Sequence, residues 1–238
     1  YYFHSLSWLS AGMFQNISMT IVVILFTIFH FVLDDFTKFI VHRFMHKWKI
    51  LWALHKVHHS ANTLTPMTVF RTHPLEGIVF SLRAAFTQAI MISSFVFLFG
   101  SNVDLITVLG INIFVFLFNV FGSNLRHSHI GIRYWKWLEY ILISPAQHQI
   151  HHSVLYKHHD KNFGAVFAFW DWSFGSLHHS EDTENLKLGL EKNPAINSHS
   201  LKNLYLKPII EILMIINKKI YKFKIYILNK KNIKENLI

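Results

Sequence analysis

Residues 42–60 read HRFMHKWKILWALHKVHHS, and five histidines recur in this stretch at helical spacings. His42 and His46 lie four residues apart, whereas His55, His58 and His59 occupy positions i, i+3 and i+4. Side chains at these separations share one face of an α-helix, so the imidazoles of each set can converge on one metal ion. The stretch therefore predicts helices that carry metal ligands.

The same spacing returns beyond a strongly apolar central stretch, where His148, His151 and His152 stand in the sequence HQIHH. The three sets hold eight imidazoles, which is too many for one ion, so we expect two adjacent metal ions. The i, i+2 pair His127 and His129 does not share one helical face, but a frayed or 3₁₀ turn would direct both inward, and we expect at least one to be a ligand. The predicted ligands are His42, His46, His55, His58, His59, His127, His129, His148, His151 and His152.

Several further side chains are candidates for holding the ligand imidazoles in place. His73 precedes a proline, where helix is disfavoured, and it is either a ligand or a hydrogen-bonding partner of one. His158, His159 and Asp160 form a similar candidate set. A carboxylate can fix a ligand imidazole by accepting a hydrogen bond from its far nitrogen. The available carboxylates are Asp34, Asp35, Glu76, Glu139, Asp160 and Asp171.

The composition indicates a single membrane-embedded domain over residues 1–238. Hydrophobic residues make up 52% of the chain and charged residues only 15%, which is too apolar for an ordinary soluble domain. No linker rich in Pro, Gly or Ser divides it. Because the chain has no cysteine, it can form no disulfide, zinc–thiolate, haem–thiolate or iron–sulfur site, and a metal must be held by nitrogen and oxygen.

Three apolar stretches, about 17–41, 78–99 and 103–121, have the length that a bilayer requires. The last two are joined only by Gly100, Ser101 and Asn102, so we expect a helical hairpin that leaves and returns on one side. Segments 42–76 and 124–179 would then face the same side and form one metal-binding unit. The predicted fold is an all-α integral membrane protein with three or four transmembrane helices.

Charge predicts the orientation of this unit and the nature of the tail. Lys and Arg are frequent near the histidines but absent from residues 1–16 and the hairpin turn, so the positive-inside rule predicts a cytoplasmic histidine side. Segment 200–238 holds nine Lys and two Glu, a net charge of +7 out of +10. We expect an amphipathic helix at an anionic lipid surface rather than a nucleic-acid site, with a solvated basic tail as the alternative. Because residue 1 is Tyr, we expect the natural N-terminus to lie upstream.

Taken together, these motifs resemble the fatty acid hydroxylase and sterol desaturase superfamily of membrane non-haem di-iron oxygenases. The resemblance runs from Asp34 to Leu177. It rests on DFTKFIVHRFMH at 35–46, LWALHKVHHS at 51–60, RTHPLE at 71–76, RHSH at 126–129, SPAQHQIHHS at 144–153 and DKNFG at 160–164. The family's usual ending Trp-Asp-Arg-Leu-Phe-Gly-Thr appears here as WDWSFGS at 170–176, without the Arg.

The resemblance implies an enzyme that uses O2 to hydroxylate or desaturate an unactivated C–H position of a lipid, whether sterol, fatty acyl, carotenoid or ether lipid. It implies two Fe ions as cofactor. The chain has no GxGxxG dinucleotide fingerprint and no cysteine, so electrons must come from a separate reductase, ferredoxin or cytochrome. Two alternatives stay open at this point: a zinc-dependent membrane hydrolase, and a non-enzymatic histidine-rich membrane protein that binds metal or haem.

Overall fold

The computed structural model describes residues 12–100, 117, 125–181, 186–190 and 200–235. Within these ranges all regular structure is helical, and the only extended pairings are two isolated bridges. The helices are α1 (Met19–Lys47), α2 (Lys49–His59), α3 (Pro74–Phe99), α4 (Pro145–His151), α5 (Phe169–Ser173) and α6 (Leu201–Glu235). Short 3₁₀ turns span Pro66–Phe70, Leu138–Tyr140 and Tyr156–His158. The predicted all-α class is confirmed for this part of the chain.

Helix α1 continues from an apolar segment directly into the first histidine pair. It runs from Met19 to Lys47 without a break, so His42 and His46 lie on its last turns. It ends at Trp48, whose backbone is extended with φ −101° and ψ 119°, and α2 starts at the next residue. This one-residue interruption turns the chain so that α2 packs against the end of α1.

Helix α3 begins four residues before the predicted span at 78–99. His73 is its N-cap, with Nδ1 accepting a hydrogen bond from the Leu75 amide, and Pro74 occupies the first turn, where its missing N–H costs nothing. The apolar pattern missed this turn because it contains Glu76. The helix ends at Gly100, whose φ of +62° is readily available only to glycine.

Helices α1 and α3 pack together and expose apolar side chains on their outer faces. Their shared core consists of Val22, Phe26, Met91, Phe95 and Phe99. The outward side chains include Ile24, Ile28, Phe29, Leu82 and Phe86, each more than half exposed. A helix that is apolar on its outer face as well as its inner face suits a lipid environment. By length and composition, both helices can cross a membrane. The third predicted span, 103–121, lies outside the described residues except for Leu117.

An ion cluster joins the two long helices at the end nearer the histidines. Asp34 of α1 accepts a hydrogen bond of 2.6 Å from Arg83 of α3 and forms an ion pair of 2.7 Å with Lys38. The same guanidinium donates to the hydroxyl of Thr37, which also contacts Thr87 across the helix interface. Within the predicted spans 17–41 and 78–99, Asp34 and Thr37 therefore pair with Arg83 and Thr87 across the helix interface.

The second HxxHH pattern lies on the short helix α4, which capping interactions stabilise. Ser144 and Gln147 form a reciprocal capping box, and Pro145 occupies the first turn. Buried Glu139 accepts a hydrogen bond of 2.9 Å from the Ser144 hydroxyl. Because seven residues are too few for an isolated helix, these caps and the surrounding packing determine where the histidines point.

The C-terminal helix α6 packs its first half on α2, the helix that carries three predicted ligands. Leu204 packs against Val57, and Glu211 forms an ion pair with the largely buried Lys56. The carbonyl of Tyr205 accepts a hydrogen bond of 3.1 Å from Nε2 of His73. The first half of α6 is thus attached to the same unit as the histidines.

We predict that Arg83→Met destabilises the protein by about 3 kcal/mol, because it leaves a largely buried carboxylate with one cation fewer. The matched control is Gln88→Met, a half-buried position on the same helix, for which we expect a change within about 0.5 kcal/mol. Thermal unfolding in detergent measures both. Equal stability of the two variants would show that the ion cluster contributes little to the packing of α1 on α3.

Candidate metal centre

Five histidines from three helices form the first of two clusters, here called the five-histidine group. Its members are His42 and His46 of α1, His55 and His59 of α2, and His151 of α4. One ring nitrogen from each lies within 4.8 Å of the corresponding nitrogen of every other member. The bend at Trp48 brings the first two pairs together, and α4 adds the fifth imidazole.

Hydrogen bonds at the far ring nitrogens determine what the five-histidine group presents at its centre. Nδ1 of His42 lies 2.7 Å from the Phe163 carbonyl, Nδ1 of His55 lies 2.7 Å from a Glu76 carboxylate oxygen, and Nδ1 of His151 lies 2.7 Å from the Lys161 carbonyl. Carbonyl and carboxylate oxygens accept, so each Nδ1 carries a proton, and the tautomer with its single proton on Nδ1 presents a lone pair at Nε2.

The resulting contact between His42 and His55 is not a hydrogen bond. Their Nε2 atoms are 3.1 Å apart, and both carry lone pairs, so neither can donate to the other. The buried Nε2 atoms of His46, His59 and His151 also have no hydrogen-bonding partner among the described residues. Lone pairs pressed together in a buried site repel unless a cation lies between them. The group fits a metal ion.

The second cluster, the four-histidine group, consists of His58 of α2, His127, and His148 and His152 at α4. The Nε2 atom of His127 lies 3.1 Å from that of His58 and 3.0 Å from that of His148, which in turn lies 3.2 Å from that of His152. Nitrogen ligands at about 2.1 Å from one ion are roughly 3.0–3.4 Å apart for right-angled to tetrahedral arrangements. The observed separations match this range.

The two groups adjoin each other and differ in their outer contacts. The rings of His59 and His152, one from each group, stack with centroids 4.3 Å apart. In the four-histidine group the buried Nδ1 atoms of His58, His148 and His152 have no partner among the described residues. The five-histidine group therefore has fixed ring orientations at three positions, whereas the four-histidine group is oriented mainly by packing.

Burial keeps the ligand imidazoles neutral. It lowers the pKa of His58, His59, His148 and His152 well below the ordinary histidine value, and neighbouring imidazoles lower it further. Burial lowers the pKa of His151 to about 3. Neutral imidazole is the form that binds a metal, so these side chains are ready to act as ligands at physiological pH.

The carboxylate of Asp171 supports the loop that orients two of the imidazoles. It accepts hydrogen bonds from the Phe163 amide at 2.8 Å, the Gly164 amide at 2.6 Å and the Ser176 hydroxyl at 2.6 Å. A Cβ atom at Gly164 would lie 2.9 Å from this carboxylate and 2.6 Å from the Phe167 carbonyl, so only glycine fits there. Burial raises the pKa of Asp171, and the hydrogen bonds oppose that rise.

Asp35 of α1 holds the next part of the same loop. Its carboxylate accepts hydrogen bonds from the amides of Val166 at 2.9 Å and Phe167 at 3.1 Å, and from the Trp170 indole at 3.1 Å. The loop is thus fastened both to the long apolar helix and to α5. Its carbonyls at residues 161 and 163 are held where they meet His151 and His42.

Two cavities border the histidines from different directions. The smaller, of about 290 Å³, touches both groups and is lined by Lys38, Val69, Gly77, Phe80 and Arg126 besides the imidazoles. Lys38, Gly77 and Phe80 lie on the long helices α1 and α3. The larger, of about 560 Å³, has a mixed apolar and polar lining that includes Lys56, Tyr156, His159 and Asp160. Of these two cavities, the smaller is the one that reaches α3.

The profile of the family described as fatty acid hydroxylase matches residues 27–176, more than half of the chain. The chain belongs to the fatty acid hydroxylase family. The matched region contains all nine clustered histidines together with Asp35, Glu76 and Asp171. The geometry described above is therefore that of a member of this family.

Curated relatives of this fatty acid hydroxylase family member include enzymes named for two kinds of lipid. A putative Δ7-sterol-C5(6)-desaturase of Arabidopsis thaliana is 32% identical over 157 residues, 64% of this chain and 48% of the relative. The alkylglycerol monooxygenase of Danio rerio is 29% identical over 136 residues, 57% of this chain and 27% of the relative. The chain thus spans about half or less of the length of these relatives. No solved structure matches it.

The structure brings nine of the ten predicted ligands together and leaves out His129. The side chain of His129 is exposed, because the i, i+2 spacing directs it away from His127. Among the outer candidates, Asp171 acts on the groups through the loop, and His73 caps α3 instead of reaching either group. His158 is buried with its ring 5.1 Å from that of His178. His159 and Asp160 are exposed, and Asp160 pairs with Lys47.

Sequence reasoning missed the backbone carbonyls of Lys161 and Phe163, which orient two imidazoles. Every residue has a backbone carbonyl, so the residue type does not show which carbonyl will contact a ligand ring. The available signal was the pattern Asp-Lys-Asn-Phe-Gly at 160–164, whose closing glycine marks a close backbone approach. Among the six candidate carboxylates the sequence favours Asp160 and Asp171, whereas in the structure Glu76 is the one of the six that contacts a clustered imidazole, that of His55.

We predict that His127→Ala lowers metal affinity at least about tenfold. Removing a residue that only orients a ligand already lowers metal affinity about 10–100-fold, and His127 is itself a candidate ligand. His129→Ala, two residues away and outside both groups, is the matched control and should leave the metal content unchanged. Metal per chain after dialysis against a competing chelator measures both variants. If His129→Ala loses as much metal as His127→Ala, the assignment of the four-histidine group is wrong.

We predict that the metal-free protein loses stability steeply as the pH falls below about 6.5. Five buried imidazoles outside the long apolar helices have lowered pKa values, so between those values and 6.5 the unfolded chain binds more protons than the folded one. Each such group contributes a slope of about 1.4 kcal/mol per pH unit, with stability highest above 6.5. Thermal unfolding across pH measures the slope. Bound metal should move the loss to lower pH, and a flat profile without metal would contradict the prediction.

Proposed function

We propose that this protein is a membrane oxygenase that uses O2 and electrons from a separate donor to hydroxylate or desaturate an unactivated C–H position of a lipid. One observation carries the proposal: two adjoining groups of clustered imidazoles, five and four in number, converge their ring nitrogens, with several Nε2–Nε2 separations of about 3 Å. In this proposal the five-histidine group and the four-histidine group each hold one iron ion. Family membership supports a lipid oxidation rather than another metal-dependent reaction.

Bound iron would supply the O2 activation that an unactivated C–H bond requires. The chain's own residues fix the ligand rings, exclude water and align the lipid. Glu76 and the carbonyls of Lys161 and Phe163 keep three rings oriented, with their metal-binding nitrogen unprotonated. Asp35 and Asp171 keep those carbonyls in place. All of these hydrogen bonds are already present in the structure.

The smaller cavity is our candidate for the lipid-binding site. It borders both histidine groups, its apolar lining includes Val69, Phe80 and Phe163, and three of its lining residues lie on the first turns of α3. An alkyl chain or sterol ring reaching the groups from the bilayer would pass this position. The larger cavity also borders both histidine groups, but none of its lining residues lies on α3.

The membrane arrangement is also part of the proposal. Helices α1 and α3 would cross the bilayer, and segment 103–121 would return the chain to the side that carries the histidines. Residues 1–238 would form one domain. Lys and Arg near the histidines support a cytoplasmic location for the metal centre. A cytoplasmic electron donor would then have direct access to the metal-centre side of the protein.

The described contacts weigh against a haem site and against a zinc hydrolase. A haem needs a flat macrocycle between its axial ligands, but each group packs four or five ring nitrogens within 4.8 Å of each other. A zinc hydrolase needs a general base beside the metal-bound water. The carboxylate that reaches the five-histidine group, Glu76, contacts the far side of His55, and no carboxylate is among the members of either group in the described residues.

The relatives narrow the first substrates to test. They are named for sterols and for alkylglycerols, which are both uncharged lipids bearing a hydroxyl group. We therefore propose an uncharged lipid of one of these classes as the substrate.

The test is lipid analysis of cells that express the protein, the His151→Ala variant or the His129→Ala control, grown with isotopically heavy O2. Because His151 belongs to the five-histidine group, we expect its variant to lose at least about 99% of the product while the control keeps it. Heavy oxygen in the product indicates hydroxylation, and loss of two hydrogens indicates desaturation. Identical lipid profiles for the protein and His151→Ala, with full metal loading in the former, would overturn the proposal.

A further inference from the structure

The C-terminal helix α6 has two halves with different surroundings. Its first half packs on α2 through Leu204 and through the ion pair of Glu211 with Lys56. From Ile216 to Lys230 every residue is exposed. The helix nevertheless continues without a break through Glu235. The exposed part, here called the distal half and covering residues 217–230, has no packing partner within the described structure.

The composition of the distal half is unusual for an exposed helix. It contains five lysines and no Asp or Glu. It also exposes seven large side chains, with Tyr221, Phe223 and Tyr226 each more than 60% accessible. The other four are Ile220, Ile225, Ile227 and Leu228. Seven exposed apolar or aromatic side chains on about four turns indicate a surface that contacts another molecule or a membrane.

The two kinds of side chain occupy different sides of the helix. At 3.6 residues per turn, Ile220, Tyr221, Phe223, Ile225, Ile227 and Leu228 fall within one arc of about 200°. Lys218, Lys219, Lys222 and Lys230 fall on the remaining arc. Lys224 lies inside the apolar arc and Tyr226 inside the basic one. A long lysine side chain can extend out of an apolar environment toward water or a phosphate.

A lipid surface fits this arrangement better than the other possible occupants. A coiled-coil partner would need a narrow apolar seam, but the apolar arc covers more than half of the helix and includes Lys224. The distal half is about 21 Å long and carries five lysines, so it does not cross a bilayer. Lysines beside exposed aromatic residues are typical of a helix lying in the headgroup region of an anionic bilayer.

We propose that the distal half of α6 binds the surface of a bilayer that contains anionic lipid, with its apolar arc in the acyl boundary and its lysines at the phosphates. The first half of α6 packs on α2, so this surface is the leaflet on the metal-centre side. The proposal depends on the membrane location of the protein and not on the oxygenase chemistry. It separates the predicted basic tail into a segment that packs on the protein and a segment that binds lipid.

The cysteine-free sequence allows a direct test on the full chain. An environment-sensitive fluorophore is attached to one of two single-cysteine variants. Ile220→Cys places it on the apolar arc, and Lys222→Cys places it on the basic arc. Each labelled protein is placed in nanodiscs of phosphatidylcholine alone or mixed with phosphatidylserine. We expect acrylamide quenching at position 220 to fall about threefold or more in the anionic discs, with a smaller change at position 222. High salt should reverse the protection, since the attraction is electrostatic.

A charge-removed variant and a dilution series complete the test. Replacing Lys218, Lys219, Lys222 and Lys224 by Gln in the Ile220→Cys protein should abolish the difference between the two disc types. These lysines are exposed, so circular dichroism and metal content should stay unchanged. Quenching that is equal in both disc types at both positions overturns the proposal. Protection that appears only as protein concentration rises assigns the face to a second copy of the chain and also overturns it.

Discussion

The structure depends on the repulsion between imidazole lone pairs that are buried next to each other. Nine rings are packed so that their metal-binding nitrogens converge, and in the five-histidine group outer hydrogen bonds place the proton of His42, His55 and His151 on Nδ1. Such a core is unfavourable by itself, since burial excludes water and the Nε2 atoms of His46, His59 and His151 have no hydrogen-bonding partner among the described residues. Two cations would convert the same arrangement into a strongly attractive one, so folding and metal binding are expected to be coupled.

Ligand geometry is maintained by groups well outside the histidines. The carboxylates of Asp35 and Asp171 hold backbone amides, the carbonyls of the same loop hold two imidazoles, and the loop is fastened to both α1 and α5. This explains why the sequence pattern around Trp170 and Asp171 accompanies histidine motifs that lie far away in the chain. The replacement of the family's usual Arg by Trp172 leaves these contacts intact, since that side chain is exposed and the carboxylate of Asp171 still binds the loop.

The sequence predicts those features of the structure that follow from helical periodicity and from the length of apolar segments. Spacings of three and four residues indicate which histidines share a face, and uninterrupted apolar length indicates α1 and α3. What the sequence does not display is the bend at Trp48, which is marked by neither Gly nor Pro, or the contribution of main-chain carbonyls. His129 shows the limit of the argument, because a predicted ligand next to a real cluster member can still point outward. Helix α3 extends one turn beyond the predicted apolar span because that turn contains the polar residue Glu76, which contacts His55.

In the proposed membrane arrangement, helix α1 connects the bilayer to the histidine groups. Its 29 residues extend about 43 Å, and the hydrogen bonds that flank Trp48 tie α2 to its end, so the two helices move together. Helix α4 belongs to a different part of the chain and meets α1 through the loop that Asp35 fastens. A tilt of α1 by a few degrees about its far end would shift the five ligand rings on α1 and α2 by about 2–3 Å, and the rings on α4 keep their relative positions only as far as this loop follows. Bilayer thickness, which influences helix tilt, would therefore affect the distances between the ligand rings of the proposed metal centre.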